Sequence, residues 1–519
     1  MTRLTMLFAL LILACVPSAR AAEINDAGAA HLKGVFTGLF DYQQKVAAAT
    51  KGRQFKYEGE VSVEPAGTYY AVTLPHVTVV YPDGEWLAVG MVSINAAPAG
   101  QPGQWKMSIA LPTPMTLYDK VGNIVRETHI GSQQAAGLWR EDIENFSKLD
   151  ARYQNITIDD KIANYNVLIP RAAVTYNLAQ GENGRWSGPV DLAMSDIQAS
   201  FEKTGTAMTI ASARMRMGVS QLDPAITRDY KTKVQALLET DPKIADKNSS
   251  GAHALGLYNM MLDVMTQAMD GMSAQYELSG ITLARTEEGK TISQDIASVK
   301  AGASLDGLLK NSVNLHLQFL MSGLTSSSAN TLLPRETNIA LKVEKIPLRE
   351  IAELGKSTLQ VSLQQPDMAQ MAGLMLLTKI PAVLSKNGTT ISIPQNYIGN
   401  DSYRIDLDGR ALADSTAVNA MTAQASMGIM GLEWLMTTLQ NQPLEAKRAE
   451  NRNSLLEKLN WFRQQAKVEK TATGADRHVV NLEMTKEGKV LLNGKEPKPQ
   501  EPTPEIPIAP PSGDTEPPR

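Results

Sequence analysis

Apolar and polar residues alternate in short runs over most of this 519-residue chain and change to a spacing of three and four in several separated stretches. The first pattern turns one face of a strand towards a core, and the second does the same for a helix. Residues 27–50 read as a helix, with Leu32, Val35, Phe36, Leu39, Phe40 and Val46 near one face and Gly52 ending it. A strand-rich region follows from Phe55 to Val219. Runs at 57–63, 70–74, 77–81 and 86–94 are separated by Pro-Ala-Gly, Pro75 and Pro-Asp-Gly, the punctuation of an antiparallel meander. The pattern continues at 105–111, 124–130, 153–158, 166–169, 172–178, 190–201 and 208–219.

Helical spacing returns at 224–240 and 252–272, where Met261, Met265, Met269 and Met272 fall on one stripe. Strand patterns resume at 276–284, 292–299, 313–321 and 339–343, and a helix is predicted from Leu348, broken near Pro366 and resuming through Met368, Met371, Met375 and Leu376 to Ile380. Strands at 390–393 and 402–407 precede helices at 427–440 and 444–468, and a hairpin at 478–484 and 489–492 closes the fold. Three openings, Tyr57-Glu58-Gly59, Tyr276 to Ile281 and Tyr403 to Gly409, share an aromatic residue, alternation and a glycine turn, which points to a reused sheet unit. The fold class predicted is α+β: large twisted antiparallel sheets of meander units, with amphipathic helices packed on them. The domain reading is a leader at 1–21, a helix and strand-rich domain at 22–220, a helical segment at 221–274, a C-terminal α+β domain at 275–494 and a proline-rich tail at 495–519. Too few apolar residues remain in that tail to build a core.

The leader changes the picture most. Arg3, the apolar run Leu4 to Ala14 and Ala19-Arg20-Ala21 have the form of a secretory signal cleaved after Ala21, and the run is shorter than the ~20 residues of a membrane span. A competing reading acylates Cys15 in Ile12-Leu13-Ala14-Cys15 as in a lipoprotein. Cys15 is the single cysteine of the chain, so cleavage after Ala21 removes thiolate, disulfide and cysteine-metal chemistry from the mature protein. A net charge of −4 gives no footprint for a phosphate backbone, which argues against nucleic acid as a partner.

Catalytic patterns are weak. His31, His76, His129, His253, His316 and His478 lie far apart without the i, i+4 pairing of a helical zinc site. Gly355-Lys356-Ser357-Thr358 imitates the end of a phosphate loop, yet Glu350 stands where its first glycine belongs and the preceding residues read as helix. Asp159-Asp160 and Glu287-Glu288 read as solvated turn residues. What remains is apolar surface: Met261, Met265, Met269, Met272, Met368, Met371 and Met375 are the candidate lining of a pocket for an acyl chain, with ordinary core packing as the competing reading.

Asn400 to Gly409, then Gly428-Ile429-Met430-Gly431-Leu432-Glu433-Trp434-Leu435 read as helical, then Glu487 to Gly494, resemble the ending of the YdgA-like family of bacterial envelope proteins of unknown function. Leu333-Pro334-Arg335 and Ile339 to Leu348 are similar in character. The resemblance covers the second half of the chain and, more weakly, the strand-rich first half. It implies a periplasmic, sheet-rich protein distantly akin to the AsmA-like group associated with envelope organisation and lipid handling, and it brings no catalytic residues. The cleavable-looking leader departs from the longer N-terminal anchor of membrane-attached members. The expectation is therefore a non-enzymatic periplasmic protein, without cofactor or metal and without a transmembrane helix after cleavage, that binds a hydrophobic ligand of the lipid class or supports envelope organisation with an envelope protein as partner. A scaffold using sheet edges or the proline-rich tail is the second reading, and a hydrolase with a non-local site the third.

Overall fold

The computed structural model describes residues 24–49, 53–240, 251–287, 289–327, 332–441 and 446–497. The leader with Cys15 and Ala21 and nearly all of the proline-rich tail lie outside the described residues. Helix α1 (Asp26–Ala49) opens the fold, as its apolar face predicts. Two short ladders follow. One runs β1 (Gln54–Glu58), β4 (His76–Val80), β5 (Trp86–Gly90), β8 (Met115–Tyr118), and the other β2 (Ser62–Ala66), β3 (Tyr69–Thr73), β6 (Ser93–Pro98), β7 (Gln104–Ala110). Both end on β9 (Ile124–Arg140), which pairs with β8 through its first half and with β7 through its second. The runs read as single strands at 57–63 and 86–94 are each broken in two, because Gly59 and Gly90 turn the chain from one ladder into the other.

From β9 a single antiparallel meander continues. Its strands are β10 (Asn145–Asp160), β11 (Tyr165–Asn177) with the short β12 (Ala179–Gln180), β13 (Trp186–Phe201), β14 (Thr206–Leu222), β15 (Gly271–Glu287) and β16 (Lys290–Asp306). Then come β17 (Val313–Ser322) with the short β18 (Thr325–Ser326), β19 (Glu336–Ile346), β20 (Thr390–Gly399), β21 (Arg404–Ala413) and β22 (Met421–Met430). The short β23 (Lys467–Lys470) and β25 (Val490–Leu492) both pair with β24 (Asp476–Met484) at the last edge. The β14–β15 ladder joins the residues before 222 to those after 271 in one sheet.

Helices are inserted at the strand ends. α2 (Pro224–Thr240) and α3 (Gly251–Gln267) lie between β14 and β15, and α4 (Leu348–Gln364) and α5 (Ala369–Asn387) between β19 and β20, all leaving from one end of the sheet. Neighbours touch in series from α1 to α5. α6 (Leu432–Asn441) and α7 (Ala446–Gln465) leave from the opposite end. Two helical expectations are corrected. The helix read over 252–272 stops at Gln267, because the Asp270 N–H bonds the Ser220 carbonyl and draws Met272 into β15. Gly428 to Met430, read as helix, close strand β22 before the chain turns at Gly431, an apolar run that either period accommodates.

The long strands share a device that their sequences conceal. Asn155, Asp196, Gly280 and Gly323 have φ of +51°, +59°, +58° and +68°, and lie on β10, on β13, on β15 and at the end of β17, every second strand of the meander. Between β13 and β16 the register is the same on both sides of this line, so it is a crease and not an insertion. A left-handed residue inverts the pleat, and the apolar phase inverts with it. Leu149, Ala151 and Tyr153 are buried before Asn155, and Ile156 and Ile158 after it. Small residues are required where strands meet there: a Cβ on Gly280 would lie 2.8 Å from that of Ala211, and one on Gly323 2.5 Å from that of Ala297. At β20 the equivalent device is a true bulge at Gln395, φ +47°, where the Asn396 side chain exchanges hydrogen bonds with the Ala340 backbone.

Candidate functional site

Paired residues in a ladder project to the same side, so the register identifies each face. One transverse row runs Val219, Met272, Leu305, Leu315, Val343 and Ile391 and ends through Ala411, Ala423 and Met484 at Val490. The next but one runs Met215, Tyr276, Ala301, Phe319 and Ile339. Opposite-face rows are polar. Ser195, Ser212, Ser279, Ser298 and Ser322 cross five strands beside the crease, with the Ser298 and Ser322 hydroxyls 2.9 Å apart. Arg216 is paired with Asp191 at 2.7 Å and Lys300 with Glu277 at 2.9 Å on that same polar side.

The apolar face is covered at its two ends and open between them. At the N-terminal end, Leu32, Val35 and Phe36 of α1 join Tyr70, Val72 and Trp105 in a core that continues along the face as far as Leu278 and Ile281. At the other end, Leu432, Leu435, Met436 and Leu439 of α6 and Leu459 and Phe462 of α7 bury Ile429 and Val480. Tyr403 completes this cap: its hydroxyl donates to the Leu332 carbonyl at 2.9 Å, and burial raises its pKa. Between the caps Tyr276, Leu317, Phe319, Ile339, Ile391 and Ile398 remain exposed, Phe319 at 38% and Ile339 at 52%. Neighbouring strands lie about 4.8 Å apart and rise about 3.4 Å per residue, so the open face from β15 to β21 measures roughly 24 Å across and 20 Å along the strands from Met272 to Leu278. The residues of β15 that project to it, from Met272 to Leu283, are uncharged, and Arg285 is the first charge met along that line. An exposed apolar surface of this kind gains by being covered by another apolar group.

The methionines singled out by sequence occupy several elements. Met272 stands on the open face at 51% exposure. Met265 is exposed on α3, Met269 is half-buried in the turn after it, and the side chain of Met261 lies outside the described residues. Met368, in the single 3₁₀ turn before α5, and Met371 and Met375 on α5 are exposed together on the α4–α5 hairpin. Sequence reasoning missed Leu317, Phe319, Ile339, Ile391 and Ile398 as a group. Each strand's alternation was readable, and the register that lines them up was not.

His31 is spent on a structural contact with Glu141 at 2.9 Å. Among the described residues no group of three or more His, Cys, Asp or Glu side chains is placed to hold a metal ion, and no helix is long and apolar enough to cross a membrane. No family model, no curated protein and no solved structure matches this chain.

Proposed function

We propose that the protein binds a hydrophobic ligand of the lipid class on the open middle of its sheet, without catalysing a reaction on it, and does so in a bacterial periplasm. The single observation that carries the reading is the apolar face running unbroken from the α1 core to the α6–α7 cap with its centre uncovered. Apolar residues packed as core would be covered by helices, whereas α2 to α5 chiefly contact one another. The secretory form of the leader and the resemblance to YdgA-like and AsmA-like envelope proteins support the address and the ligand class. The left-handed residue on every second strand supports a meander built by repeating a two-strand unit.

Native mass spectrometry of delipidated protein titrated with phospholipid tests the reading. Bound phospholipid is expected, and its absence under conditions that load a known carrier would overturn it. A role in envelope organisation through a protein partner is the second reading. Its sheet edges are blunted, since β1 and β2 are five residues long and β25 three, which disfavours pairing by strand addition. The proline-rich tail then becomes the docking segment, and deleting 495–519 in a periplasmic pull-down distinguishes it.

A further inference from the structure

The chain leaves the described residues at the edge of the apolar face. Beyond β25 it reverses at Asn493 and Gly494, whose φ are +52° and +81°. Leu492 and Lys495 then exchange backbone hydrogen bonds at 2.7 and 3.1 Å, and Glu496 pairs with Lys489 at 2.6 Å. This antiparallel register brings Pro497 level with Val490, the last member of the apolar row that begins at Val219. Pro497 and Pro499 have no N–H with which to extend the ladder.

The tail that follows is uneven in composition. Lys498, Glu501 and Glu505 lie in its first part and Asp514, Glu516 and Arg519 in its last, but the run Ile506, Pro507, Ile508, Ala509, Pro510, Pro511 between them is uncharged and apolar throughout. Proline presets an extended backbone, so less chain entropy is lost when such a run is laid on a surface. A segment crossing an apolar face at an angle to the strands finds no ladder partners, and three prolines in six residues halve the N–H groups it would leave unpaired.

Its reach matches the face. Taking about 4.8 Å between strands and 3.4 Å along them, Ile339 on β19 lies about 32 Å from Pro497 across the face, and Ala301 on β16 about 41 Å. At about 3.1 Å per residue, Ile506 and Ile508 stand about 28 and 34 Å from Pro497, and Pro510 and Pro511 about 40 and 43 Å. The isoleucines thus arrive over Ile339 and the two prolines over Ala301, which the register sets between Tyr276 and Phe319. Two exposed rings flanking a small residue make an aromatic-walled seat of the kind that proline-rich segments occupy.

We propose that the run 506–511 docks in cis across the open face, covering Ile339, Phe319 and Tyr276 until a ligand of the lipid class displaces it. Tethering selects this occupant over a second copy. A linker matched to the span holds the run at about millimolar effective concentration, above that of any other chain in dilute solution. The displacement rests on the ligand-binding reading, and the docking itself does not.

The test uses the full chain with Cys15→Ala and a single cysteine placed by Ala509→Cys, labelled with a benzophenone photocrosslinker and irradiated in dilute solution. Mass spectrometry of the digest is expected to find cross-links within one chain to β15, β16, β17 and β19. A short-chain phosphatidylglycerol below its micelle concentration is expected to lower their yield by about fivefold or more. Ile506→Asp with Ile508→Asp, which lies outside both cores, is expected to lower it by about tenfold and to tighten the apparent Kd for that phospholipid by about fivefold. Cross-links confined to other elements, or found only between chains, would overturn the docking, the latter by assigning the run to a second copy. An apparent Kd unchanged by the two tail substitutions would overturn the displacement. Cross-links to the open face in a chain that loads no phospholipid, with or without those substitutions, would overturn the ligand reading and leave the docking standing.

Discussion

The indole Nε1 of Trp105 donates to a carboxylate oxygen of Glu141 at 2.8 Å, deep beneath α1. The same oxygen meets the His31 ring at 2.9 Å, so one buried side chain ties the first helix to strand β7. Removing it leaves the indole donor without a partner. Glu141→Ala is expected to cost about 2–3 kcal/mol, whereas Glu141→Gln keeps an accepting oxygen and costs less, about 1 kcal/mol. Urea unfolding followed by tryptophan fluorescence checks both, and equal midpoints for the two variants would contradict the assigned role.

At the crease, Gly323→Ala places a methyl group 2.5 Å from the Ala297 Cβ on a residue with positive φ. The expected destabilisation is about 2–4 kcal/mol. Adding Ala297→Gly removes the contact and leaves the backbone strain, so the pair is expected to recover all but about 1–2 kcal/mol. A double variant no more stable than the single one would show that the crease does not depend on close approach there.

That crease also explains what was legible in the sequence. Helix α1 and the short strands β3, β4 and β7 were readable because a single unbroken period marks each, whereas β8 was not read. The strand β11 was read as two, 166–169 and 172–178, because the buried phase reverses between Ile169 and Ala172, and β10, β13 and β15 were read too short, as 153–158, 190–201 and 276–284, although those runs pass through Asn155, Asp196 and Gly280. Gly280 looked like a turn and stands inside β15. The open face could not be read at all. Leu317 and Ile339 become neighbours only through pairing across β17 and β19, and exposure depends on where α6 and α7 stop.

Asp160 provides a pH test of the N-terminal half. Burial opposes its ionisation, yet the Ala163 N–H at 2.7 Å, the Arg126 guanidinium at 2.7 Å and the Ile162 N–H at 3.2 Å outweigh it and hold its pKa below the ordinary value. A depressed folded-state pKa means that its stabilisation is fully present above the unfolded value of about 3.9 and is lost as pH falls through the lower folded value. The difference in urea midpoint between wild type and Asp160→Asn is expected to stay constant at neutral pH and to narrow below about pH 4. A difference independent of pH in that acid range would contradict this.

Leu317→Asp with Phe319→Asp puts two carboxylates on the open face at positions that are 40% and 38% exposed. Neither change creates a deep core defect, so folding measured by circular dichroism is expected to persist. Phospholipid loading and the fluorescence of an apolar dye are expected to fall by about tenfold or more. Undiminished loading in this folded variant would place the ligand elsewhere.

The caps at the two ends of the open face give it a fixed capacity. α1 with its two ladders closes one end and α6–α7 closes the other, so the width left uncovered is set by how many strands lie between them. Lengthening the protein by one two-strand unit would widen the open span by about 10 Å without altering either closure. On the proposed reading, ligand size would then follow chain length in steps of two strands and not the shape of any single residue.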